Sequence, residues 1–121
     1  MSADRMNEFR EERARLQELM LRYSGKNMKR FLNVDHNAYE PGALPKPAKE
    51  LMGLVASLVL RCEDCILYHL QQCHDQGVTT AELEESLTVA LVVGGSITIP
   101  HIRRALRAWA ELGHAPPGGS E

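Results

Sequence analysis

Several features that mark particular classes of protein are scarce in this sequence or missing from it. No apolar run is long enough to cross a membrane, since the longest, residues 51–60, has about half of the roughly 20 residues that a span needs. The polar N-terminus holds no apolar signal-peptide core. The 14 basic and 16 acidic residues give a formal charge of −2, without the basic excess of nucleic-acid binders. We therefore expect a cytoplasmic protein with neither a membrane nor a nucleic-acid partner.

Cysteine is limited to three residues, an odd number. In a reducing compartment an odd count argues against a framework of structural disulfides. It favours thiols that act in catalysis, bind a metal or fill the core. Alternating strand patterns and internal repeats are also missing. The 121 residues fit a single all-α domain of five or six helices, predicted over residues 1–113. Residues 114–121 hold two prolines and two glycines and are predicted to be a disordered tail.

Apolar residues that recur every three or four positions predict where the helices lie. Four helices are expected at residues 4–23, 26–39, 47–60 and 63–76, a fifth up to Gly94-Gly95, and a last one from about Thr98 to 112. Gly77 should end the fourth helix, and Thr79 or Thr80 with Glu82 should cap the fifth.

The third helix carries the most apolar segment of the chain. Residues 51–60 are apolar on nearly every face, so this helix should be the buried centre of the fold. Glu50 is the one acidic residue on it. A carboxylate there either lies at the water-exposed start of the helix or is placed for a function, and the helix pattern alone favours exposure.

Two thiols and an imidazole lie close together at the start of the fourth helix. Cys62 and Cys65 are three residues apart and His69 follows Cys65 by four, so the three side chains share one helix face. A thiolate near a helix N-terminus is favoured by the helix dipole and by free N–H groups. The same residues belong to the apolar stripe of the helix, so we expect them to face inward. Cys73, two turns beyond Cys65, is expected in the core.

Three interpretations of this cluster are open. Its members can be small polarisable core residues, as free cysteines often are. They can bind zinc, but Cys62 and Cys73 lie roughly 16 Å apart along one helix, so a site would need Glu50 or a second subunit. They can also form a redox dithiol, in which the two thiols close a disulfide and His69 acts as a base. We favour the redox dithiol because of the spacing.

The pattern of Glu50, eleven residues and then Cys62-x-x-Cys65-x-x-x-His69 resembles the active-site motif of the alkylhydroperoxidase D-like proteins, which belong to the carboxymuconolactone decarboxylase family. The resemblance extends over residues 44–112 and includes Leu44-Pro45, the turn and helix start at 77–85, and Gly94-Gly95. Residues 1–40 are covered less well. The combined motif is specific, whereas C-x-x-C alone would not be.

The resemblance implies an all-helical fold that assembles into homo-oligomers, often trimers or hexamers. It also implies a thiol peroxidase or disulfide reductase activity that uses no metal, haem or other cofactor. By this analogy Cys65 attacks a hydroperoxide, Cys62 resolves the product into a disulfide, and His69 and Glu50 relay protons. A dithiol reductant or a peroxiredoxin would be the redox partner. The decarboxylase branch of the family lacks the cysteine pair, so decarboxylation is not expected.

One position departs from the better-studied alkylhydroperoxidase D, which has histidine immediately before the second cysteine where this chain has Asp64. A carboxylate at this position opposes thiolate formation and should weaken the relay. Two other classes of function stay open. One is a structural or binding module with idle thiols, and the other is a redox sensor that cycles its disulfide without turnover. Peroxide consumption, measured with the redox state of Cys62 and Cys65, separates them.

Overall fold

Six α-helices form the part of the chain that the structure, a computed structural model, describes, residues 4–117. None of these helices is both long and apolar enough to span a membrane, and no strand occurs among the same residues. The all-α prediction is confirmed, and the helix ends agree closely with those predicted. The helices are α1 Asp4–Tyr23, α2 Lys26–Ala38, α3 Lys46–Leu60, α4 Glu63–Asp75, α5 Thr80–Gly94 and α6 Ile99–Glu111, with a 3₁₀ turn at Ser96–Thr98.

The predicted caps account for two of the helix ends. Thr79 Oγ1 accepts the Glu82 backbone N–H at 3.1 Å, and Glu82 Oε1 accepts the Thr79 N–H at 2.9 Å, which completes a capping box at the start of α5. After α4, Gly77 adopts a φ of 78°, and the Val78 N–H returns to the carbonyl of Cys73 at 3.0 Å. This is a Schellman ending, which uses glycine because L side chains rarely adopt positive φ.

The turn between α3 and α4 determines where the cysteine motif begins. Arg61 has a φ of 60°, and its N–H bonds the carbonyl of Leu58 at 3.0 Å. The N–H of Cys62 bonds the carbonyl of Ser57, also at 3.0 Å. A non-glycine residue in this conformation costs roughly 1–2 kcal/mol. The reversal places Cys62 immediately before α4, as its N-cap.

The core lies where α3 packs against α4 and α5, and α4 packs against α6. Full burial of a residue such as leucine contributes about 1.5–3 kcal/mol, so this cluster supplies much of the stability of the fold. Cys73 belongs to it, as predicted. The buried apolar residues are Met6, Leu54, Leu58, Ile66, Leu70, Cys73, Val78, Leu83, Leu87, Ala90, Ala105, Ala108 and Trp109.

Within one chain, helix α3 is buried on one face only, and burial of its other face stays a prediction that depends on a second copy. Leu54 and Leu58 are fully buried, whereas Met52 is 57% exposed and Leu60 is 76% exposed. The reason is that α4 and α5 cover the same side of α3. On the other side an apolar groove of about 510 Å³ runs between α3 and α5, with Val59 and Val93 among its walls.

Helices α1 and α2 leave most of their apolar residues uncovered within one chain. In α1, Met6 is buried in the core, but Leu16 is 53% exposed. In α2, Phe31 and Val34 are exposed as well. The two helices were predicted correctly, and their apolar stripes find few partners because α1 contacts mainly α6.

The predicted tail begins in contact with the fold. The imidazole of His114 stacks on Trp109, with ring centroids 3.8 Å apart and planes 8° from parallel. Nε2 of His114 lies 2.8 Å from Nδ1 of His74. The sequence had placed His114 in the disordered segment. Residues 118–121 lie outside the described part of the chain, so the disorder of the tail stays a prediction.

Candidate redox site

The two cysteines of the motif meet at the start of α4. The Sγ atoms of Cys62 and Cys65 lie 2.9 Å apart, and Cys62 Sγ accepts the Cys65 backbone N–H at 3.4 Å. Both thiols are free, with Cys65 exposed and Cys62 partly exposed. The expectation that both face inward is therefore wrong. The first turn of α4 lies outside the core, which the helix enters at Ile66.

The surroundings of Cys65 hold its proton firmly. The hydrogen bond with Cys62 is the main cause that raises the pKa of Cys65 to about 11. Burial and the charges of Cys62 and Asp64 also raise this pKa, whereas Arg13 lowers it. Asp64 thus opposes thiolate formation as predicted, although as a lesser cause. Because the thiol form prevails at neutral pH, a nucleophilic attack by Cys65 requires a base.

Glu50 and His69 form a buried pair, and His69 follows Cys65 by about one turn of α4. Nδ1 of His69 lies 2.9 Å from Oε1 of Glu50, and the two side chains are 10% and 1% exposed. Lys46 Nζ donates to the other carboxylate oxygen at 3.2 Å. The interpretation of Glu50 as an exposed residue is wrong, because its turn of α3 packs against α4. A carboxylate buried in this way needs both partners to offset the loss of water.

Gly53 lets the backbone of α3 approach the imidazole of His69. A Cβ atom at this position would lie 2.6 Å from Cε1 of the ring and 2.8 Å from Nε2, closer than real Cβ atoms come. The sequence had assigned Gly53 no role. An isolated glycine inside an apolar helix was the signal that could have indicated one.

Tyr39 contacts the nitrogen of His69 that faces away from Glu50. Its hydroxyl oxygen lies 3.4 Å from Nε2, and the ring centroids are 5.2 Å apart. Within the described residues, the side-chain hydrogen bonds of His69 go to Glu50 and Tyr39 and not to the thiols. The sequence analysis missed Tyr39 because this residue precedes the motif. It lies 30 residues from His69, so no helical periodicity links the two.

Glu63, which follows Cys62, is bound by α6. Its Oε2 accepts hydrogen bonds from Arg104 Nε at 2.9 Å and Arg104 Nη2 at 2.7 Å, and it also pairs with His101. Burial raises the pKa of Glu63, but the hydrogen bonds from Arg104 and His101 outweigh this and lower it. The acidic charge beside Cys62 is therefore compensated. No spacing argument had pointed to His101.

The described residues contain no group of three or more His, Cys, Asp or Glu side chains that could hold a metal ion. The sulfur atoms of Cys62 and Cys65 contact each other, and both nitrogens of His69 have protein partners. The arrangement is suited to proton transfer and to closing a disulfide. The expectation of a protein without zinc stays a prediction for elemental analysis.

Comparison with known protein families identifies the fold's relatives. The sequence model of the carboxymuconolactone decarboxylase family matches residues 25–111. The chain belongs to the carboxymuconolactone decarboxylase family. The match includes α2 and Tyr39, and so begins earlier than residue 44, where the resemblance of the motif started.

Solved structures and curated sequences of similar proteins come from several bacteria. A Thermotoga maritima protein is 53% identical, with a TM-score of 0.85 over 87% of this chain and 92% of that one. Another crystal structure of it describes a carboxymuconolactone decarboxylase family protein with a suggested involvement in antioxidative response. A family protein from Legionella pneumophila is 25% identical, with a TM-score of 0.82 over 91% of this chain and 98% of that one. An uncharacterized protein of Cupriavidus necator is 30% identical over 70% of this chain and 75% of its own length.

Proposed function

We propose that this member of the family is a thiol-dependent oxidoreductase that reduces hydroperoxides, or the disulfide of a partner, through Cys62 and Cys65. The observation that carries the proposal is the pair of sulfur atoms 2.9 Å apart, one turn of helix from the buried His69–Glu50 pair. The suggested antioxidative involvement of the Thermotoga relative supports it. The cycle would run in the cytoplasm, where glutathione and thioredoxin keep protein thiols reduced.

The proposed cycle has three balanced steps. First, His69 takes the proton of Cys65, and the thiolate attacks the O–O bond of a hydroperoxide. Cys65 becomes a sulfenic acid, and the leaving alkoxide takes the proton from His69 and departs as an alcohol. Second, Cys62 condenses with the sulfenic acid, which forms the disulfide and releases water. Third, a cellular dithiol reduces the disulfide by thiol exchange and is itself oxidised. If a peroxiredoxin is the partner, Cys62 and Cys65 instead reduce its disulfide and become oxidised themselves.

The electrostatics of the site define what each residue contributes. With a Cys65 pKa of about 11, only a small fraction of this thiol is ionised at neutral pH, so the His69 base supplies most of the reactive thiolate. Glu50 orients the imidazole and stabilises the imidazolium that forms, and Lys46 in turn keeps the carboxylate paired. The exposure of Cys65 suits attack on a substrate that arrives from solvent.

Single-cysteine variants test the proposal. Hydroperoxide consumption with a dithiol reductant should be abolished in Cys65→Ser. In Cys62→Ser a sulfenic acid should accumulate on Cys65, where a sulfenic-acid probe and mass spectrometry detect it. Cys73→Ala is the matched control, because burial raises the pKa of Cys73 to about 12 and keeps this core thiol unreactive.

Three outcomes would change the assignment. Thiol oxidation that persists in Cys65→Ser but is lost in Cys62→Ser would reverse the two roles. A disulfide that forms and is reduced without catalytic turnover would indicate a redox sensor. No oxidation of either thiol by peroxide or disulfide would leave a structural or binding module.

We also propose that the chain forms a homo-oligomer through the uncovered apolar face of α3 and α5. The groove there is lined by residues such as Val55, Val89 and Val93, and Val92 beside it is 78% exposed. Apolar surface of this extent is uncommon on a monomer. Light scattering at micromolar concentration should give a mass well above 13.5 kDa, and Val93→Lys should lower it. A wild-type protein of monomer mass would contradict the proposal.

A further inference from the structure

Tyr39, the residue that follows α2, reaches the far side of the relay histidine. Its hydroxyl oxygen lies 3.4 Å from Nε2 of His69, while Nδ1 of the same ring lies 2.9 Å from Glu50. The imidazole is thus held between a carboxylate and a phenol. The sequence motif includes the carboxylate of Glu50 but does not include the phenol of Tyr39.

The chemistry of these groups determines which atoms carry the hydrogens. A carboxylate only accepts hydrogen bonds, so Nδ1 of His69 donates to Glu50. In the neutral imidazole Nε2 then carries the lone pair and accepts from the Tyr39 hydroxyl. Once His69 has taken a proton, Nε2 donates to the same oxygen. A hydroxyl serves in both states, whereas a carboxylate or a phenyl ring does not.

Tyr39 also borders a polar pocket of about 220 Å³ between the N-terminal helices and the relay, together with Arg13, Lys46 and Tyr68. His69 itself is only 8% exposed, so its proton needs a polar path to solvent. Tyr39 is the residue that contacts Nε2 and also lines this pocket.

We infer that Tyr39 is a positioning residue for His69: its hydroxyl holds Nε2 in both protonation states of the imidazole and passes the proton between Nε2 and the polar pocket. This role rests on the proposed function, in which His69 is the base for Cys65. The 3.4 Å contact is long for a hydrogen bond, and such bonds commonly tighten when the reacting complex forms.

The charged groups around Tyr39 keep its hydroxyl protonated. Burial raises the pKa of Tyr39, and the nearby carboxylates of Asp35 and Glu50 raise it further. The phenol therefore has a hydrogen to donate at neutral pH. Positive groups at the same pocket are Arg13, whose guanidinium lies 3.8 Å from the Tyr68 ring centroid, and Lys46, which is bound to Glu50. The imidazole of His36 also lines the pocket.

Tyr39→Phe tests the inference, because it removes the hydroxyl and keeps the ring. The reaction to follow is alkylation of Cys65 by iodoacetamide, with the modified residue identified by peptide mass spectrometry. Near pH 7 the variant should react about 10-fold more slowly, because the base has lost its partner. Near pH 10, closer to the Cys65 pKa of about 11, hydroxide removes the proton and the two rates should agree within about twofold.

Tyr68→Phe is the matched control. The Tyr68 ring also lies 5.2 Å from the His69 ring and lines the same pocket, but the hydrogen bonds of His69 go to Tyr39 and Glu50. This variant should react like the wild type at both pH values. Equal rates for Tyr39→Phe and wild type near pH 7 would overturn the inference. A loss of the same size at both pH values would also overturn it, because it would indicate a structural role only.

The alkylation assay separates this inference from the proposed function. A wild-type protein that consumes no hydroperoxide would refute the peroxidase activity, and the alkylation profile would still decide the role of Tyr39. If Tyr39→Phe does not fold, ¹⁵N NMR of His69 in the wild type decides instead. Nε2 should be hydrogen-bonded in the neutral as well as the protonated ring, and an unbonded Nε2 in the neutral ring would overturn the inference.

Discussion

Gly53→Ala should disrupt the relay without removing any group that takes part in its chemistry. The new Cβ would lie 2.6 Å from Cε1 of His69, whereas ordinary contact begins at 3.4 Å. The ring must therefore retreat by about 0.8 Å, the difference between the two distances. The hydrogen bond from Nδ1 to Glu50 is 2.9 Å long and does not tolerate a displacement of that size.

Two opposing terms determine the effect on stability. Alanine is favoured over glycine inside a helix by about 1 kcal/mol. Loss of a hydrogen bond to a charged group costs about 1.5–3 kcal/mol. We therefore expect Gly53→Ala to destabilise the protein by about 0.5–2 kcal/mol and to slow oxidation of Cys65 at neutral pH.

A double-mutant cycle with His69→Ala makes the test sharp. Without the imidazole the clash disappears, so Gly53→Ala should then stabilise the protein by about 1 kcal/mol. Urea unfolding of the wild type, the two single variants and the double variant, all at the same protein concentration, measures the effect of Gly53→Ala on the free energy of unfolding with and without the imidazole. If Gly53→Ala changes the free energy of unfolding by the same amount in both backgrounds, the ring is not held against α3 and the reasoning is refuted.

Three further predictions concern charge, pH and metal content. Asp64→Asn should lower the pKa of Cys65 from about 11 by less than Cys62→Ala does, as measured by the pH dependence of alkylation, because the hydrogen bond with Cys62 is the larger cause. Burial and the charge of His74 lower the pKa of His114 below its ordinary value of 6.5. The stacking of His114 on Trp109 is therefore fully favourable above pH 6.5 and is lost as the pH falls through the lower pKa of the folded state. Fluorescence of Trp109, the sole tryptophan, should report this loss, and His114→Ala should abolish the change. Elemental analysis should find no stoichiometric zinc. About one zinc ion per chain in the wild type, lost in His69→Ala, would instead favour a metal site.

The sequence by itself determined the features that depend on neighbours along the chain. The helices follow from apolar spacing, and the caps at Thr79 and Gly77 follow from hydrogen bonds that close within a few residues. The proximity of Cys62 and Cys65 follows from the geometry of one helix start. The family also followed from the motif, because the residues that carry it lie on α3 and α4.

The tertiary structure alone decided which side chains are buried and which meet across helices. Glu50 looked exposed at the start of α3, and the packing of α3 on α4 buried it against His69, 19 residues away. The same packing made Gly53 a steric requirement and brought Tyr39 to the imidazole. Cys65, expected inside, lies outside because the first turn of α4 precedes the core. Periodicity specifies a face of a helix, but only the relative placement of helices determines what that face contacts, since contacts between them are non-local in sequence.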